Sequence, residues 1–186
     1  MKRFSVVGGQ WSVVSHRKFF LAVFFLLFTF HFSLFTVKGQ DEQRDVAPPP
    51  LKVISKEEKK QLEAEADNTK RTKLALLLMD ARLKAAENFF SKQQYREMFD
   101  ELGGFHALAD KTLDFLNRNN DGRGKSLGNF KRFEISLRTF LPRLEIIRRE
   151  LPAEYEPYVR DLSKSVRLAR AKAVEPFFGN TVVEDN

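Results

Sequence analysis

Apolar side chains recur at spacings of three and four over most of the chain after residue 70, the repeat of an α-helix with one buried face. A first stripe holds Leu76, Met79, Leu83, Ala86 and Phe90, and Leu74, Leu78, Ala81 and Ala85 widen it. A second holds Tyr95, Met98, Leu102, Phe105, Ala109, Thr112 and Leu116. A third holds Phe130, Phe133, Leu137, Phe140, Leu144, Ile147 and Leu151. A fourth holds Val159, Leu162, Val166, Ala169 and Ala173, with Phe177 near its end.

The residues between the stripes are those that start and stop helices. Ser55 with Glu58 forms a capping-box pattern and opens a long helix over 55–90. Ser91 with Gln94 repeats the pattern, so Ser91 is expected as the N-cap of a second helix over 92–117, with Phe90 stapled to Tyr95. Residues 118–126, RNNDGRGKS, are turn chemistry, and Pro152 separates the third helix from the fourth. Gly103-Gly104 inside the second helix marks a close helix–helix approach or a kink, and Pro142 a kink in the third. Short turns make successive helices antiparallel. The expected fold class is all-α, an antiparallel four-helix bundle in up-down-up-down order. At about 1.5 Å per residue the first helix is about 54 Å long and the second about 39 Å. Residues 55–64 should then overhang the bundle as solvated helix.

Residues 83–105, with FFSKQQY at 89–95, resemble the helix-turn-helix hairpin of tetratricopeptide repeats. The resemblance covers less than one repeat, and it implies an αα-hairpin that presents a binding surface.

Residues 1–39 differ in kind. Phe19–Val37 is almost wholly apolar and follows Arg17 and Lys18, the order of a secretory signal peptide or an uncleaved membrane anchor. Cleavage before Gln40 fits Val37-Lys38-Gly39. Residues 40–54 contain three consecutive prolines and read as an extended linker. The helical bundle is expected over 55–178 and a flexible tail over 179–186. Either fate of the N-terminal segment exports the rest, to a periplasmic or extracellular location, with anchoring through residues 19–37 as the alternative to release.

Charge adds less than its total suggests. The net charge is +7, but residues 1–40 carry five basic residues and no acidic one. The remainder holds 27 basic against 25 acidic residues, so the basic pI is no argument for nucleic acid. Residues 126–178 are the more basic half, with 11 basic and 7 acidic residues. There Arg160, Lys164 and Arg167 fall at i, i+4 and i+7 on one helical side. They form a candidate interaction face toward an acidic protein or an anionic membrane surface.

The chain has no Cys, which excludes disulfides and thiolate chemistry. Asn119–Ser126, NNDGRGKS, is one residue short of the phosphate-binding pattern, but a helix precedes it where that motif needs a strand. Asn117, Asn119, Asp121 and Gly122 brush the calcium-loop pattern, yet Gly128 stands where a bidentate Glu is needed. His106 is the only His after residue 40 and reads as a boundary or core residue rather than a ligand. No catalytic, cofactor or metal constellation stands out. The expected function is therefore a non-enzymatic, exported interaction or scaffolding domain; a bundle that binds a small apolar ligand in its Phe-rich core is the alternative.

Overall fold

The computed structural model describes residues 46–178. The apolar segment 19–37, the cleavage site before Gln40, and Gly179 with the tail beyond it lie outside the described residues. Among the described residues the chain is all-helical, and no helix is long and apolar enough to cross a membrane. The elements are α1 (Lys56–Ala64), α2 (Asn68–Ser91), α3 (Tyr95–Arg118), α4 (Gly124–Glu150), α5 (Glu156–Val174) and a closing 3-10 turn, Glu175–Phe177.

The expected first helix is two helices. The Ser55–Glu58 capping box forms, with Glu58 N–H donating to Ser55 Oγ at 3.1 Å and Ser55 N–H donating to Glu58 Oε2 at 2.8 Å. The helix it opens stops at Ala64. Asp67 then caps α2 by accepting the Lys70 N–H at 2.8 Å, and Glu65 accepts the Asp67 N–H at 3.0 Å. The break lets α1 fold back along α2 instead of overhanging it. Leu62, the one large apolar residue of α1, is buried in the core as a result.

The second correction concerns Ser91. It ends α2 rather than capping α3, because its hydroxyl donates back to the Asn88 carbonyl at 2.8 Å. The turn is made by Gln93 in the left-handed region at φ 57°, and Gln94 caps α3 without a side-chain hydrogen bond. Phe90 and Tyr95 both pack against the core, half-buried. Tyr95 is the first residue of α3 instead of its fourth.

Polar pairs show how the helices run. Arg82 pairs with Glu101 and Asn68 meets Asn119, so α2 and α3 are antiparallel. Arg148–Glu156 and Arg170–Glu134 give α4 and α5 the same relation. These two hairpins are the most extensive packings, and they join with α2 on α4 and α3 on α5. Arg143 of α4 clamps α2 by a bidentate bond to Glu87 at 2.6 and 2.7 Å and a third bond to Asp80 at 2.6 Å. α4 continues through Pro142 to Glu150.

The four apolar stripes face inward as their spacing requires. Met79, Leu83, Leu102, Phe105, Phe130, Phe133, Leu137, Leu144, Val159 and Leu162 are wholly buried. Ala81 of the widening stripe is exposed, and so is Phe177. Phe105 and Phe140 meet edge to face with ring centroids 5.5 Å apart.

Candidate functional site

Residues 46–54 are extended, and they lie against the bundle instead of standing free of it. At one end the Ala47 N–H donates to the Glu154 carbonyl at 2.9 Å. In the middle the Leu51 carbonyl presses on Gly103 so closely that a Cβ there would strike it. The close approach marked by Gly103-Gly104 is thus between α3 and this segment, while a Cβ on Gly104 would meet only the Arg82 side chain. At the far end Ile54 packs against the core.

Lys52 supplies the polar anchor. Its ammonium donates to His106 Nε2 at 2.9 Å and to Asp110 Oδ2 at 3.2 Å. Accepting that bond places the imidazole proton on Nδ1, which is buried and has no hydrogen-bond partner. Burial first, and the Lys52 charge with it, hold His106 below its ordinary value against the opposing pull of Asp110. Tyr158 of α5 lies nearby, its ring tilted by 47° and its centroid 6.5 Å from that of His106. Burial pushes its phenol well up, so it stays neutral.

Ala47, Pro50 and Ile54 are the half-buried residues of the segment, and the apolar side chains between them are left in solvent. Leu51 is 80% exposed, Val53 58% and Val46 52%. Beside them a solvent-open cavity of about 500 Å³ lies between the segment, α1, α2 and α3, lined by Ile54, Leu62 and Ala107 with Lys59, Arg71 and Asp110 at its polar wall. The linker expected over residues 40–54 is thus docked on the bundle in its described part, residues 46–54. Its signal was a single charged residue, Lys52, inside the run VAPPPLKVIS.

Each cation of the candidate basic face has a carboxylate neighbour. Arg160, Lys164 and Arg167 are exposed on α5. Arg160 pairs with Glu156 at 3.4 Å, Lys164 with Asp161 at 2.9 Å and Arg167 with Glu145 at 2.7 Å. Arg148 bridges Glu145 and Glu156, so four cations meet three carboxylates. The hydrogen bonds of Arg148, with the Arg167 charge, hold Glu145 below the usual carboxylate range.

The turn between α3 and α4 uses its polar groups internally. Asn120 Oδ1 accepts from Gly122 N–H at 3.0 Å and Ser126 Oγ at 2.8 Å, while Asp121 accepts from Arg123 N–H at 3.0 Å. Gly122 supplies the left-handed φ of 68°. With α3 before it, the strand–loop–helix that cradles phosphate is not formed. Among the described residues no cluster of three or more His, Cys, Asp or Glu gathers as for a metal ion. His106 is 6% exposed at the edge of the core.

No protein-family model, no curated protein and no solved structure matches the chain.

Proposed function

We propose that the chain is an exported, non-enzymatic interaction domain that binds a protein partner through residues 46–54. The observation that carries this reading is a non-helical segment anchored at several points whose Val46, Leu51 and Val53 side chains are nevertheless exposed. Single exposed apolar residues are ordinary. Three on nine anchored residues, beside an open cavity, make a surface with little ordering left to lose on binding. Leu51 and Val53 would meet the partner directly, and the cavity lined by Ile54 and Leu62 would take one of its side chains.

The finer architecture in this reading is an antiparallel four-helix bundle, α2 to α5, in up-down-up-down order along the chain. Residues 19–37 act as signal peptide or anchor, and the domain works outside the cytoplasm. The alternative, a small apolar ligand among the Phe residues, has less support. Phe105, Phe130 and Phe133 are fully buried, so a ligand would have to displace packed rings.

Native mass spectrometry of the chain isolated from its own cells separates the two. A stoichiometric protein partner, lost when Leu51 and Val53 are both replaced by Ser, supports the interaction reading. A copurifying small molecule that survives that replacement supports the ligand reading.

A further inference from the structure

The contact that orders residues 46–54 contains an imidazole, which burial holds below its ordinary value. Lys52 is held by two acceptors, the Asp110 carboxylate and His106 Nε2. Three ionisable groups face the imidazole: Lys52 from the extended segment, Asp110 from its own helix, and Tyr158 from α5. Asp110 Oδ2 already lies 3.8 Å from Nε2. A proton arriving on Nε2 therefore does two things at once. It removes the lone pair that accepts from Lys52, and it creates a second cation within reach of the same carboxylate. Two cations 2.9 Å from one another beside a single carboxylate repel, and the exposed Lys52 is the one free to leave.

We propose that Lys52, His106 and Asp110 form an acid-opened latch, in which protonation of His106 expels Lys52 and releases residues 46–54 from α3. Asp110 passes from the ammonium to the imidazolium, so α3 keeps a matched pair while the segment loses its polar anchor. The other attachments are the Ala47–Glu154 hydrogen bond, the Leu51 carbonyl on Gly103 and the packing of Ala47 and Ile54; none of them titrates, and all of them, the Ala47 bond included, open more often once the polar anchor is lost. The sign follows from the depressed value of His106. Its contribution is complete above the ordinary value of 6.5 and is lost as pH falls below it toward the value in the folded protein. The latch concerns the segment assigned to the partner above, but its test needs no partner, so either idea can fail alone.

The Ala47 amide is the natural reporter, since residues 48–50 are prolines. Its protection against hydrogen exchange, corrected for the intrinsic rate, is measured on the full chain in detergent between about pH 7.5 and about pH 5, which spans ordinary His titration. The wild type should lose protection on acidification, by about tenfold for each pKa unit separating the released and latched states. His106→Gln keeps an acceptor and cannot titrate, so its protection should stay flat and high. Lys52→Met removes the donor and should be flat and low, which serves if His106→Gln loses its helicity by circular dichroism. Wild-type protection that does not change with pH, or an unchanged fall in either variant, would overturn the latch.

Discussion

Glu58 of α1 and Arg82 of α2 form a bidentate pair, with Nε and Nη2 each 2.8 Å from a carboxylate oxygen, although the two residues are 24 apart in the chain. In one continuous helix they would be separated by about 36 Å. The pair thus exists only because the chain breaks after Ala64 and turns back. Arg82 also donates to Glu101 of α3 at 2.9 Å, so one guanidinium ties three helices together. Burial opposes the charge on Glu58, but the bonds from Arg82 and from the Ser55 amide outweigh it and hold the carboxyl below its ordinary value.

Replacing Glu58 by Gln should cost about 1.5–3 kcal/mol, the range for hydrogen bonds to a charged group. In the wild type the Glu58 contribution is present above the ordinary carboxylate value of 4.5 and is lost as pH falls through its lower folded value. Urea denaturation at neutral and acid pH should show the variant's deficit shrinking in acid. A deficit that is equal at both would contradict the pair.

Much of the helical layout was legible because burial repeats with the helical period. Phe130, Phe133, Leu137, Phe140, Leu144, Ile147 and Leu151 all lie in the core as the third stripe requires. The break at residues 65–67 was missed because the residues flanking it, Ala64, Glu65 and Ala66, are acceptable in a helix. Asp67 before Asn68-Thr69 was its signal, an N-cap hidden in a charged run. The docking of residues 46–54 on the bundle leaves no periodic sequence signature for another reason. Its anchors are a backbone carbonyl resting on Gly103 and a Lys–His contact 54 residues apart, and neither leaves a periodic trace.

Gly103 and Gly104 should respond differently to Ala, although each change favours the helix by about 1 kcal/mol. At Gly103 the new methyl meets the Leu51 backbone, which cannot yield without moving the segment. At Gly104 it meets the flexible Arg82 side chain. Gly103→Ala should therefore abolish Ala47 amide protection while helicity by circular dichroism is kept, and Gly104→Ala should preserve both. Equal protection in the two variants would remove the segment from its place on α3.

Phe133 is fully buried, and Phe133→Ala should destabilise by about 3–5 kcal/mol. Chemical denaturation measures it. A cost below about 1 kcal/mol, the range of surface substitutions and mild core changes, would contradict the α4 register.

Because Arg160, Lys164 and Arg167 each have a carboxylate partner, replacing all three by Gln should leave binding to anionic vesicles nearly unchanged. Co-sedimentation with vesicles rich in anionic lipid tests this across salt concentrations. A clear loss of binding with a flatter salt dependence would make the α5 face a lipid contact instead.

Residues 46–54 are the proposed docking site for a protein partner. The most direct test places a photo-crosslinking amino acid at Leu51 or, separately, at Lys164, in cells that make the protein, and compares the adducts after illumination. Leu51 is 80% exposed, so its replacement leaves the core untouched. Docking of the partner on residues 46–54 should give a discrete protein adduct from position 51 and none from position 164. An adduct from position 164 with none from position 51 would contradict it.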